Sequence, residues 1–93
     1  MDVLKINGKE FRGDTIPLFG INLMVIQGKK GMLGCAYVNL AVAEKTSAAL
    51  AVVRGVSNYD DMLRAQITDV TSAAAALGIS PGMTGAEALE LLA

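Results

Sequence analysis

The sequence predicts an α+β domain of two layers, with an N-terminal β-hairpin and a central β-sheet that carries about three helices on one face. Apolar runs bounded by glycines fill the chain to about residue 38, and such runs are typical of strands covered on both sides. From about residue 58 the apolar spacing becomes helical. A chain of 93 residues suits one domain. We therefore expect a single domain over 1–93, mainly β over 1–38 and mixed over 39–93.

The first element is a hairpin. Apolar and polar residues alternate through residues 2–6, and Asn7-Gly8 follows them. This pair supplies the positive φ angles that a two-residue type I′ turn requires. The returning strand runs toward Pro17, which lacks an N–H group and therefore indicates an edge or a bend.

Three further apolar runs predict the central sheet. Residues 21–27 and 32–38 are joined by Gly28-Lys29-Lys30-Gly31, a turn with glycine at both ends. The third run covers residues 47–55. The segment 39–45 between the last two runs is long enough for one or two helical turns, so we expect a short crossover between parallel strands.

The remaining residues predict helices. Ser57 is placed to cap a helix with Asp60 and Asp61 in its first turn, where acidic side chains favour the macrodipole. Residues 67–77 then repeat apolar side chains at helical spacing, and Gly78 is suited to close that helix in the left-handed conformation.

The last helix has a local signature at its start. Thr84-Gly85-Ala86-Glu87 forms a capping box, in which the threonine hydroxyl and the glutamate carboxylate each bond the backbone amide of the other residue. The leucines that follow supply its apolar stripe.

Composition excludes several classes of function. The formal net charge is −1 with mixed signs, which argues against binding nucleic acid or a membrane surface. The chain has no histidine and one cysteine, so metal sites of His or Cys/His type and an intrachain disulfide are excluded. We expect no metal, no cofactor and a reducing, cytoplasmic location. The 53% hydrophobic content is high for a small monomer, so we expect a homo-oligomer.

Two stretches resemble a known family. KKGMLGCAYVNLAVAEK (29–45) and AAAALGISPGMTGAEALELL (73–92) resemble the YunC-like family, small bacterial and archaeal domains of unknown function. The chain departs from the family pattern at Gly34 and Ala36, where methionine and glycine are usual. The resemblance implies assembly into tetramers through the N-terminal β region, and it implies no reaction.

Cys35, in MLGCAYV, has two interpretations. A reactive thiol needs a nearby cation, a helix N-terminus or a histidine to lower its pKa, and histidine is absent. Lys29, Lys30 and Arg54 are the candidates for such a cation. In the other interpretation Cys35 is a small apolar side chain in mid-strand, which packs well in a core. Core or interface is the preferred interpretation.

Other candidate ligand-binding residues are Lys30, Tyr37, Asn39, Arg54 and Thr84. Tyr37, Asn39 and Arg54 lie at the ends of predicted strands, where pockets of layered folds gather. The Gly28–Gly34 stretch lacks the residues that a phosphate loop requires and favours a hairpin turn. Thr84 precedes a helix whose free amides suit an anion, although the capping box already uses some of them.

Two functions remain open. The preferred hypothesis is a non-enzymatic homo-oligomeric module that binds a small ligand or a partner protein. The alternative is a thiol-dependent enzyme or binder centred on Cys35, with Lys30, Asn39 or Arg54 supplying charge and hydrogen bonds. A cation close to Cys35 favours the second hypothesis, and aliphatic packing favours the first.

Overall fold

A computed structural model describes all residues, 1–93, and contains six strands and four helices. The elements in chain order are β1 (Asp2–Ile6), β2 (Lys9–Leu18), β3 (Ile21–Gln27), β4 (Met32–Gly34), α1 (Leu40–Lys45), β5 (Leu50–Val52), α2 (Tyr59–Arg64), β6 (Asp69–Val70), α3 (Ser72–Ala76) and α4 (Gly85–Leu92). The strands form one sheet in the order β1-β2-β3-β4-β5-β6. The predicted α+β class is confirmed. None of the helices is long and apolar enough to cross a membrane.

The N-terminal hairpin is confirmed. Asn7 and Gly8 have φ angles of 52° and 78°, as a type I′ turn requires, and β1 is antiparallel to β2. Strand β2 pairs with β1 only as far as Gly13 and with β3 as far as Leu18. Pro17 lies in the part of β2 that extends beyond β1, so its missing N–H faces a free edge, as predicted.

The centre of the sheet contains the predicted crossover. Strand β4 is antiparallel to β3 and parallel to β5, and α1 connects the two parallel strands. The predicted strand over 32–38 is too long, because β4 ends at Gly34. The Val38 amide donates to the Cys35 carbonyl over 3.0 Å and closes a turn there, and Asn39 then caps α1 through a bond from the Val42 amide.

Helices cover the two faces of the sheet unequally. Side chains on one face, including Met24, Ile26 and Leu33, pack with α2, α3 and α4 in the main core. This confirms three C-terminal helices on one face. Leu50 and Val52 point to the other face and pack with Ala43 of α1 in a second, smaller cluster. That face carries no helix over β1, β2 and β3, which remain open there.

The prediction of one helix over residues 67–77 is wrong. Asp69 and Val70 form β6, antiparallel to β5, and α3 begins only at Ser72. The reason lies in Thr71, whose buried hydroxyl donates to the Ala48 carbonyl over 2.7 Å and accepts from the Leu50 amide over 3.0 Å. These bonds hold the segment against β5, and the same hydroxyl caps α3. Gly78 ends α3 with a φ of 96°, as predicted.

The helix α2 begins one residue later than predicted. Its cap is Asn58, whose side chain accepts from the Asp61 amide over 2.7 Å. The Ser57 amide donates to the Asp61 carboxylate over 3.0 Å instead. The capping box of α4 is present as predicted.

Candidate functional site: a crevice at the ends of β4 and β5

The candidate site lies where the two parallel strands end. After β4 the chain turns to α1 on one face of the sheet, and after β5 it turns to α2 on the opposite face. The two connections separate and leave an opening beyond the carboxyl ends of the strands. Ligands of open α/β sheets bind at such points. We call this opening the β4–β5 crevice; it consists of an outer cavity and a smaller thiol pocket.

The outer cavity brings three predicted residues together. It has a volume of about 350 Å³ and is lined by Ala36, Tyr37, Val38, Asn39, Leu40, Val52, Arg54 and Asp69. Tyr37 and Asn39 come from the turn after β4, and Arg54 comes from the chain after β5. Their proximity follows from the parallel pairing of β4 with β5.

An ion pair forms one wall of the outer cavity. Arg54 Nη2 lies 3.1 Å from Asp69 Oδ2, which also accepts from the Thr68 hydroxyl over 2.9 Å. The Thr68 hydroxyl and then Arg54 hold the pKa of Asp69 below its ordinary value. Asp69 is therefore ionised at neutral pH, and the pair ties β6 to the end of β5.

Several hydrogen-bond donors of the outer cavity have no acceptor within the protein. Asn39 uses its Oδ1 to accept from the Val42 amide over 3.1 Å, and its Nδ2 donates to no protein atom. The Tyr37 hydroxyl and the backbone amides of Ala36 and Tyr37 also donate to no protein atom. Tyr37 is exposed. These donors are available to a bound molecule.

Cys35 lines the thiol pocket. This pocket has a volume of about 160 Å³ and shares Ala36 and Tyr37 with the outer cavity; its other lining residues are Ile21, Asn22, Cys35, Gly55 and Val56. Cys35 lies directly after β4, rather than in mid-strand as predicted, and is 5% exposed. Its Sγ accepts from the Met24 amide over 3.3 Å and lies 4.0 Å from the Asn22 carbonyl oxygen. No charged residue lines the pocket.

The other two predicted residues lie elsewhere. Lys30 precedes β4 and therefore sits at the opposite end of that strand, beside a cavity of about 450 Å³ that it shares with Lys9, Lys29 and Glu90. Thr84 lines neither cavity of the crevice and serves as the cap of α4, where its hydroxyl accepts from the Glu87 amide over 3.2 Å.

Sequence reasoning missed Asp69 as part of the site. The residues around it were assigned to a helix, and only the pairing of β6 with β5 brings Asp69 to Arg54. An acidic residue between β-branched neighbours in TDVT was the available signal for a strand. No group of three or more cysteine, aspartate or glutamate side chains in the protein is placed to hold a metal ion.

Fold and crevice together define a small α+β domain with a ligand-sized opening at the ends of its two parallel strands. The model of the family described as Domain of unknown function (DUF1805) matches residues 34–92, and the chain belongs to this family. It is 32% identical to the uncharacterized protein YunC of Bacillus subtilis (strain 168) over 90 residues, which cover 92% of this chain and 89% of that protein. The resemblance to the YunC-like family is confirmed.

A solved structure shares the fold. The crystal structure of a protein of unknown function, TA1206 from Thermoplasma acidophilum, matches with a TM-score of 0.94 and 30% sequence identity. The match covers 99% of this chain and 90% of that one. It supports the six-stranded α+β architecture over the whole length of the chain.

Proposed function

We propose that the protein is a non-enzymatic, homo-oligomeric module of the cytoplasm that binds a small ligand in the β4–β5 crevice. The observation that carries the proposal is the crevice itself, which gathers Tyr37, Asn39 and Arg54 at a strand-end position. Its outer cavity, at about 350 Å³, is within the usual range for small-molecule sites.

The chemistry of the crevice supports binding over catalysis. A thiolate nucleophile needs a neighbouring positive charge or base, and the thiol pocket is lined by uncharged residues. The carboxylate of the outer cavity, Asp69, is paired with Arg54 and held in its ionised form. A low pKa makes a weak general base at neutral pH.

An apolar surface on β2 and β3 supports assembly. Cross-strand partners point to the same face of a sheet, so Ile16 with Leu23 and Leu18 with Ile21 share one face. This face is opposite to the side covered by α2–α4. We call these four side chains the open face; Ile16, Leu18 and Ile21 are exposed. No charged residue occurs between Asp14 and Lys29.

The occupant that we propose for the open face is a second copy of the chain. Arg12 and Asp14 border the open face on the same side of the sheet, but they pair with each other at 2.9 Å. The four uncharged side chains themselves offer nothing to select a charged partner, whereas a two-fold interface places the same patch on both subunits. Pro17 blocks simple addition of a strand at the edge, so the subunits meet through side chains. The complete assembly that we propose is the tetramer that the family resemblance implies.

Sedimentation velocity at micromolar concentration tests the assembly. The wild-type protein is expected to sediment as a species of about four chain masses, and Leu18→Glu to dissociate it by placing a charge in an apolar contact. Ala75→Glu is the matched control, because Ala75 is exposed on α3 in the other layer. A monomeric wild type, or equal sedimentation of Leu18→Glu and the control, contradicts this part of the proposal.

A second candidate is the thiol-dependent binder. It is favoured by one observation, the position of Cys35 in the wall of a pocket that adjoins the outer cavity. The rate of alkylation as a function of pH, compared between native and urea-unfolded protein, separates the two candidates. Faster reaction of the native thiol favours the second, and protection until unfolding favours the first.

A further inference from the structure

We propose that the outer cavity binds a small organic acid, with one carboxylate group and a compact apolar body. This inference rests on the proposed function and specifies the class of ligand. It depends on three features of the cavity: its hydrogen-bond donors, its net charge and its apolar walls.

The free side-chain donors of the cavity outnumber its free side-chain acceptors. Asn39 Nδ2, the Tyr37 hydroxyl and the amides of Ala36 and Tyr37 are without protein acceptors, and Arg54 uses only one of its nitrogens in the ion pair. The only carboxylate in the lining, Asp69, accepts from Arg54 and Thr68 through Oδ2 and keeps Oδ1 free, and the only side-chain amide oxygen, that of Asn39, is taken by the Val42 amide. A ligand that satisfies this set must bring acceptor oxygens, and a carboxylate brings two that match a guanidinium.

The net charge of the lining limits the charge of the ligand. Arg54 and Asp69 are the only charged residues of the cavity and neutralise each other. A polyphosphate would bring several negative charges close to the Asp69 carboxylate, and like charges a few ångströms apart repel each other. A single negative charge on the Arg54 side of the cavity avoids that repulsion.

The remaining walls favour an apolar body. Val38, Leu40 and Val52 line the cavity together with the ring of Tyr37. An aromatic ring offers a flat surface for stacking and a hydroxyl at its edge. Small-molecule sites usually combine a few polar groups, which hold the charged end of the ligand, with apolar walls that contact the rest of it. The outer cavity has both.

Heteronuclear NMR of the full ¹⁵N-labelled protein tests the inference with three probes at constant ionic strength: benzoate, its neutral counterpart benzamide, and inorganic phosphate. Benzoate is expected to shift the amide signals of Ala36 and Tyr37 and the Arg54 Nε–H signal saturably, and benzamide to do so far less. Arg54→Gln is expected to weaken benzoate about tenfold, the value of one charge-assisted hydrogen bond.

The matched control is Arg64→Gln. Arg64 is also an exposed arginine in ion pairs, with Asp60 and Asp61 on α2 at 3.1 and 3.2 Å, and it lies outside the lining of the crevice. Its loss changes the net charge equally and is expected to leave benzoate affinity unchanged. Asp69→Asn removes the competing carboxylate and is expected to tighten benzoate binding.

The outcomes separate this inference from the proposed function. Equal binding of benzamide and benzoate in the crevice overturns the organic acid and leaves the binding module standing. Stronger binding of phosphate than of benzoate overturns it in favour of an inorganic oxyanion. The organic-acid inference is also overturned if the shifts locate benzoate beside Lys30, or if millimolar benzoate causes no shifts. The sedimentation experiment tests the proposed assembly separately.

Discussion

Replacement of Gly85 by alanine tests how α2 and α4 pack. Gly85 is the first residue of α4, and its amide donates to the Ala65 carbonyl over 2.9 Å. A Cβ atom added there would overlap the backbone carbonyl oxygen of Met62, lie 2.9 Å from the carbonyl carbon and 3.0 Å from Leu33 Cδ2. Backbone atoms cannot rotate away as a side chain does, so the two helices must separate.

The magnitude follows from that separation. Overpacking of a core costs about 1–3 kcal/mol, and partial exposure of Met62, which is fully buried, adds a share of the roughly 1.5–3 kcal/mol that burial of such a side chain contributes. Alanine recovers at most about 1 kcal/mol of backbone entropy relative to glycine. We expect the free energy of unfolding to fall by about 3 kcal/mol, or the melting temperature by roughly 12–24 °C.

Urea unfolding followed by circular dichroism measures this change, with all variants at one protein concentration because assembly contributes to apparent stability. Gly34→Ala is the control. Its Cβ would meet side-chain atoms and no backbone, namely Val38 Cγ2 at 2.7 Å, Val38 Cβ at 3.0 Å and Leu50 Cδ1 at 3.2 Å. Relief needs a small shift of the turn that carries Val38, at a lower cost of about 1 kcal/mol. A Gly85→Ala protein within about 0.5 kcal/mol of wild type, inside the usual range for harmless substitutions, would refute the reasoning.

Three further predictions concern helix ends and acid. Ser47 ends α1 with a φ of 61°, so Ser47→Gly is expected to raise the unfolding free energy by about 0.5–1 kcal/mol in the same assay. Thr84→Ala is expected to lower the free energy of unfolding by about 1 kcal/mol without changing the affinity for benzoate. Weaker benzoate binding by this variant would show that Thr84 contributes to the ligand site. Capping by Thr84 and bonds from Lys9 and Asn7 lower the pKa of Glu87 and Glu90 below 4.5. The unfolded chain therefore binds more protons, and stability measured against pH should fall below about pH 4.5; constant stability there would contradict it.

Local signals explain which elements could be predicted from the sequence. The turn at Asn7-Gly8 depends on the φ angles of two residues, and the capping box of α4 depends on four. Such features are complete within a few residues, so the sequence contains all that determines them. The hairpins were predictable for the same reason. The crossover was predictable because the segment between two apolar runs is long enough for a helix to connect parallel strands.

Strand β6 could not be predicted, because its determinants are distant in sequence. Residues 67–77 have helical apolar spacing, yet the Thr71 hydroxyl bonds Ala48 and the Leu50 amide, 23 and 21 residues away. Tertiary hydrogen bonds thus override the local preference. The same wrong helix prediction concealed Asp69. Tyr37, Asn39 and Arg54 could be proposed because each lies at the end of a predicted apolar run.

The proposed interface and the crevice share a wall. Ile21 belongs to the open face through its pairing with Leu18, and it also lines the thiol pocket with Cys35 and Tyr37. A second copy docked on the open face therefore contacts a residue that shapes the pocket, and Tyr37 belongs to both the pocket and the outer cavity. Ile21 and Tyr37 line the same pocket, so in the proposed assembly the surroundings of Tyr37 include a residue that the second copy contacts.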